Sequence, residues 1–322
     1  HYEPAAFCAV LLNAQPMGFW SPHTLVQDAR RHGVTVLTPD LAVSGAGATL
    51  EVCDGSLGSV AAPIAHGFAT AGIDQSAVDQ RLREGLAVRL GLSSVRSLGS
   101  DLAEAIVAER DAGGPFADPE DLVRRVPSLT LGHLEAMATA GVFGECFGLD
   151  RREALWTVGA VAQSRPGRLD GIVTGSDAPR LPGMTPVEEA VADLWATGVS
   201  PDGHPTIFVR QELSELGVVT SKDLWDESLA PHSTVLVAGV VTHRQRPMTA
   251  QGTTFLNLED EFGLINVVVS KGCWTRFKSV ARGAAAMLIR GRLERSEGVI
   301  NIVAEHLSPL PLPGKTASRD FR

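Results

Sequence analysis

Apolar and polar positions change period along the 322-residue chain, and each change predicts a different kind of element. PAAFCAVLLNA, residues 4–14, reads as a helix stopped by the Pro16–Gly18 break. SPHTLVQDARRHG follows with N-cap residues at Ser21 and Thr24 and a stop at Gly33. VTVLTPD is a short β-branched strand, and the Ala-, Gly- and Ser-rich stretch from Leu41 to Thr70 suggests short strands and loops. From Arg81 to Trp156 the pattern is helical, and from Gln163 to Thr185 it dissolves into a Pro/Gly linker. PVEEAVADLWATG resumes helical spacing at Val187, Val191, Leu194 and Trp195, with Trp195 expected in a core.

The last stretch switches to alternation. VLVAGVV, TTFLNLE, LINVVV, AAMLIRGRL and VINIVAE are five strand candidates, with KGCWTRFKSVARG as a helix after the third. That order is the one expected of an OB-fold, a small closed barrel used to bind single strands. Alternation in TTFLNLE points Leu256 and Leu258 inward and Phe255 and Asn257 outward. Trp274 is expected beneath the barrel's helix.

In VRLGLSSVRSLGSDLAEAIVAERDAGGPF, Leu90, Leu92, Val95 and Leu98 lead into a corner and Leu102, Ala103, Ile106 and Val107 lead out of it. Gly99 lies at the corner, and Ala103 lets two helices approach. This matches a helix-hairpin-helix, whose exposed helix-start amides grip a DNA phosphate without reading bases. Ser97, Leu98, Gly99 and Ser100 are the candidate contacts. Such a hairpin usually carries glycine where this chain has Ser97, and a plain αα-hairpin remains the alternative. A second helical pair, LTLGHLEAMATAG and LDRREALWTVG, brackets an AGVFGECFG turn that is either a further backbone contact or packing.

Composition narrows the class. With 44% hydrophobic and 20% charged residues, 33 Gly and 19 Pro, the chain is globular with loop-rich junctions. No apolar run approaches the ~20 residues of a membrane helix, so a cytoplasmic protein is expected, and the HYEPAAF start suggests a fragment. Cys8, Cys53, Cys146 and Cys273 form no C-x-x-C pair, and the nine histidines show no metal spacing. Net charge is −9, but Leu181–Ala230 is acidic while Lys271, Arg276, Lys278, Arg282, Arg290, Arg292 and Arg295 stand against Glu294 alone. Such asymmetry suggests separate modules, one of which could face a polyanion.

Taken in order, FCAVLLNAQPMGFWSPHTLVQDARRHGVTVLTPD, GLSSVRSLGSDLAEAIVAERDAGGPF, ATGVSPDGHPTIFVR and VAGVVTHRQRPMTAQGTTFLNLEDEFGLINVVVS resemble the C-terminal half of bacterial C-family DNA polymerases, relatives of the polymerase III alpha subunit. NAQPMGFWSP and GVVTHRQRP resemble the error-prone, damage-associated branch. The resemblance implies a multidomain α+β chain. Residues 1–85 would end the polymerase fingers, 86–160 form a helix-hairpin-helix duplex-binding domain, 161–230 a Pro/Gly linker with a small acidic helical segment, 231–310 a C-terminal OB-fold β-barrel and 311–322 a tail.

It further implies that no catalytic or metal-binding residue lies here, the Mg²⁺-binding carboxylates belonging to a palm upstream. Arg30 or Arg31 would face the triphosphate of an incoming deoxynucleotide. Arg244, Arg246, Lys271, Arg290 and Arg292 would follow phosphates while Phe255, beside Asn257, stacks a template base, unless a neighbouring domain covers it. The implied partners are primer-template DNA, deoxynucleoside triphosphates in the full enzyme, and accessory damage-tolerance proteins supplying sliding-clamp contact, because AQSRPGRLDG around Gln163 lacks a clamp peptide. The expected role is translesion synthesis in DNA repair. Two other classes stay open: a non-catalytic DNA-binding scaffold, and a nucleotide hydrolase built on PGKT at Pro313–Thr316, where Pro309 replaces the first P-loop glycine.

Overall fold

The computed structural model describes residues 3–18, 20–52, 85–162, 178–201, 203–296 and 298–312, together with the backbone of 319–321. Expectations on Cys53, Gln163 and PGKT therefore lie outside the described residues. Two units are distinguished, His1–Met17 with Asp28–Pro201, and Gly18–Gln27 with Asp202–Arg322.

Helix α1 spans Pro4–Asn13 and α2 Pro22–Arg31. Ser21 starts α2, its Oγ accepting from the Thr24 amide at 3.1 Å, and Gly33 ends it at φ +81°. Strands β1 (Thr35–Leu37), β2 (Thr49–Val52) and β3 (Leu86–Arg89) form a small sheet with β3 in the middle, parallel to β1 and antiparallel to β2. Leu86–Arg89 was expected to be helical. Ala87, Val88 and Arg89 are all buried, so a strand covered on both faces loses the alternation that would reveal it.

Among the described residues six helices complete the first unit: α3 (Gly99–Gly113), α4 (Pro119–Arg125), α5 (Leu131–Thr139), α6 (Gly144–Phe147), α7 (Arg151–Val161) and α8 (Pro186–Ala196). Four of their starts are capped by local side chains. Asp118, Thr130, Asp150 and Thr185 each accept from first-turn amides, and the last three form capping boxes with His133, Glu153 and Glu188. Leu92, Ile106, Leu122, Leu129, Leu134, Met137 and Phe143 fill a shared core. The AGVFGECFG turn belongs to that packing: Val142 and Phe143 are buried, and the Val142 carbonyl accepts from the Leu41 amide at 3.1 Å.

In the second unit α9 (Arg210–Glu215) and the two-residue β4 (Val218–Val219) precede the barrel. Strands β5 (Thr234–Gln245), β6 (Thr254–Glu259), β7 (Leu264–Val269), β8 (Ala286–Ser296) and β9 (Val299–Pro309) pair in the order β5-β6-β7-β9-β8, and β8 returns to β5, which closes the ring. Between β7 and β8 run α10 (Lys271–Arg276) and α11 (Lys278–Gly283), the helical interruption expected after the third strand. β10 (Arg319–Phe321) adds to β5 in parallel.

Inside the barrel Leu256, Leu258, Ile265, Val267, Ile289 and Ile302 meet as the alternation requires. Closure brings backbones together at two glycines. A side chain at Gly239 would begin 2.6 Å from the Glu259 carbonyl oxygen, and one at Gly291 would begin 2.5 Å from that of Val303.

Candidate nucleic-acid interface

Two surfaces carry the expected contacts, one in each unit. On the first, β3 runs through a single 3₁₀ turn at Leu92–Ser94 into the corner, so the entering arm is shorter than the helix expected there. The corner uses left-handed backbone at both Ser97 (φ +66°) and Gly99 (φ +67°). Ser97, Gly99 and Ser100 are exposed. Leu98 is not a contact: its side chain is 4% exposed within the helical core, and its amide already donates to the Val95 carbonyl at 3.1 Å. No side chain caps α3, so its first-turn amides have no side-chain acceptor at the positive end of the helix dipole.

Serine at the first left-handed position costs about 1 kcal/mol relative to glycine. Ser97→Gly is therefore expected to keep or slightly raise the melting temperature, and Ser97→Val, β-branched, to lower it by a few degrees. Differential scanning calorimetry checks both; a Ser97→Val variant as stable as the parent would contradict the backbone assignment.

On the second surface, Phe255 is 38% exposed and points outward while Leu256 and Leu258 are buried, as alternation foretold. Asn257 lies opposite Asn266, which lies opposite Asn301, so three asparagines cross β6, β7 and β9 in one row. Asn257 Nδ2 donates to Asn266 Oδ1 at 3.5 Å, and Asn266 Nδ2 to the Ile300 carbonyl at 3.4 Å. The alternation in LINVVV already turns Asn266 outward once Ile265 and Val267 are placed inside.

Arg246, in the loop joining β5 to β6, and Lys271, at the start of α10, converge beside Gly252. A side chain at Gly252 would begin 3.3 Å from Lys271 Cδ and 3.6 Å from Arg246 Nη2. The Arg246 guanidinium lies 5.7 Å from the centroid of Trp274, which is half-buried against the barrel core rather than fully beneath its helix. Arg290 is exposed, and the exposed Arg292 pairs with Glu294 at 2.8 Å.

Arg244 must be removed from the phosphate-following set. It is 6% exposed, Nε donates to the Ala281 carbonyl at 2.9 Å and Nη2 to that of Ala284, so it holds the end of α11. Arg295 likewise serves structure, donating to the Leu224 and Leu229 carbonyls at 2.8 and 2.9 Å.

Arg30 and Arg31 occupy the last turn of α2, half-buried, with Arg31 Nη2 3.5 Å from Asp28 Oδ1. Burial pushes the Cys8 thiol to about 11 and the Cys146 thiol to about 12, so neither is a nucleophile at neutral pH. Among the described residues, no three His, Cys, Asp or Glu side chains converge as a metal-binding set, and no helix is long and apolar enough to cross a membrane.

Comparison with known proteins matches each unit to a family of its own. A family described as a helix-hairpin-helix motif matches residues 33–154, and one described as an OB-fold nucleic acid binding domain matches residues 235–310. The error-prone DNA polymerase of Mycolicibacterium paratuberculosis is 49% identical over 321 residues, covering 100% of this chain and 26% of the relative. That of Nocardia farcinica is 48% identical over 328 residues with the same coverage. Along its whole length the chain is similar to error-prone DNA polymerases. It spans about a quarter of the length of the curated relatives it matches. Among solved structures, asparaginyl-tRNA synthetase from Pyrococcus horikoshii aligns with 30% of this chain and 24% of its own at 19% identity, with a TM-score of 0.25, a likeness too slight to bear on function. The two family matches fall one in each unit, the helix-hairpin-helix motif on the hairpin unit and the OB-fold nucleic acid binding domain on the barrel.

Proposed function

We propose that this chain is the DNA-holding segment of an error-prone, DNA-directed DNA polymerase that acts in damage tolerance and translesion synthesis. The hairpin at Ser97–Ser100 grips the duplex backbone of a primer-template, and the outer barrel face carries the single-stranded template. The observation that carries this reading is the presence, in one chain matched end to end by error-prone polymerases, of an uncapped helix start and of an exposed aromatic beside a cationic loop. Amides and a helix dipole suit phosphates of any sequence. An exposed ring and an arginine–lysine pair suit a strand whose bases are unpaired.

Phosphoryl transfer is assigned to the remainder of the longer polymerase, where carboxylates would hold Mg²⁺. Within the full enzyme, Arg30 or Arg31 would meet the incoming deoxynucleoside triphosphate, and accessory damage-tolerance proteins would supply contact with a sliding clamp. The first test compares affinities at fixed salt. A primer-template with a 5′ overhang should bind the 322-residue chain at least ~10-fold more tightly than blunt duplex or single strand of equal length, because it engages both surfaces. Equal affinity for all three would defeat the two-surface reading.

A further inference from the structure

The hairpin has an electrostatic difficulty. Asp101 and Glu104, both exposed, sit in the opening turns of α3, where they favour the helix but repel a phosphate. A compensating cation is needed close to the corner, and residues 85–162 contain no lysine.

Their arginines are nearly all engaged. Arg89 is locked to Glu51, with Nε 2.8 Å from Oε1. Arg110 bonds the Leu41 and Ser44 carbonyls, Arg124 pairs with Glu120, and Arg125 with Glu109 and Asp121. Arg151 pairs with Asp193 and Arg152 with Glu188. Arg96 differs. It is exposed, immediately precedes Ser97, and its guanidinium lies 5.0 Å from the ring centroid of Trp195.

Trp195 was expected in a core, yet it is 48% exposed. Ala190, Asp193 and Ala196 form the buried side of α8, and the Ala196 carbonyl accepts from the Arg96 amide at 2.6 Å. Backbone and ring thus hold Arg96 from the same helix. Stacking uses the face of a guanidinium, while its N–H donors radiate in the plane and remain available to phosphate oxygens. Fixing the side chain beforehand also removes rotamer freedom that binding would otherwise remove.

We infer that Arg96 is a further duplex-backbone contact of the hairpin, and that Trp195, reached through the Pro/Gly linker, is the positioning residue that aims it. This rests on the reading of the hairpin as a duplex grip, and the two can fail separately. The test measures affinity of the 322-residue chain for blunt duplex by fluorescence anisotropy from 50 to 250 mM salt, for Arg96→Ala, Trp195→Leu, Trp195→Phe and the Arg96→Ala/Trp195→Leu double variant.

Arg96→Ala should weaken binding ~10-fold and lower the magnitude of the log–log salt slope by about 0.9, the value for one phosphate contact. Trp195→Leu, with the charge intact, should weaken binding ~3- to 10-fold; Trp195→Phe should restore most of it; the double variant should match Arg96→Ala alone, since the ring acts through the arginine. Unaltered melting temperatures would accompany these losses. If the parent binds duplex but Arg96→Ala keeps its affinity and slope, the inference is overturned while the hairpin reading survives. Additive losses in the double variant overturn the positioning role. A parent that ignores duplex at 50 mM salt overturns both.

Discussion

Arg89→Met is expected to destabilise the first unit by about 3–5 kcal/mol, the usual cost of leaving one member of a buried ion pair alone. The guanidinium and Glu51 are 4% and 0% exposed, joined in a fork at 2.8 and 3.0 Å, with Nη1 donating to the Thr38 carbonyl at 3.0 Å. Removing the arginine leaves a carboxylate buried in the small sheet that leads into the hairpin. Against a typical total of ~5–15 kcal/mol, this threatens the unit as a whole. Calorimetry should show its transition falling by roughly 10 °C, while the transition of the barrel unit stays in place. Glu51→Leu combined with Arg89→Met should recover much of the loss, since an apolar pair of similar volume needs no charge compensation. A single Arg89→Met variant melting within about 2 °C of the parent would show that the pair is not what holds the sheet.

The second large effect is functional. Phe255→Ala should weaken binding to a single-stranded overhang by about 1–3 kcal/mol, or roughly 5- to 150-fold, with blunt-duplex affinity unchanged. The ring is already 38% exposed, so its truncation should scarcely alter folding. Titration of the variant against both DNA forms separates the outcomes. Equal weakening for both would place Phe255 in general packing, and no weakening would remove it from the interface.

Much of the barrel was legible because its strands are covered on one face only. TTFLNLE and LINVVV alternate cleanly, and their inward leucines, isoleucine and valines are the observed core. β5 hides its pattern by contrast: it is buried almost throughout from Val237 to Arg244, and an arginine there looks like a surface cation. Arg244 finds its partners at the end of α11 and just beyond it, 37 and 40 residues away, and nothing near it in sequence announces them. The same holds for Arg89, whose acid lies 38 residues earlier.

The hairpin corner was visible as a glycine between apolar runs, but its entering arm was not. Leu92, Val95 and Leu98, three apart, imitate a helical stripe where a strand is in fact followed by a single 3₁₀ turn. Trp195 misled for a related reason. Large residues suggested the buried stripe of α8, whereas the helix docks through Ala190, Asp193 and Ala196, whose small size and ion pair with Arg151 at 2.7 Å permit close approach.

The central claim is spatial: duplex at the hairpin, unpaired template at the barrel. Site-specific photocrosslinking measures it most directly, with a photoreactive phenylalanine analogue placed at Ser97 in one preparation and at Phe255 in another, each bound to a primer-template and its adducts mapped by nucleotide. The account predicts adducts from position 97 confined to the paired region and adducts from position 255 confined to the template overhang. Adducts from both positions in the same region, or none above background at 100 mM salt, would contradict it.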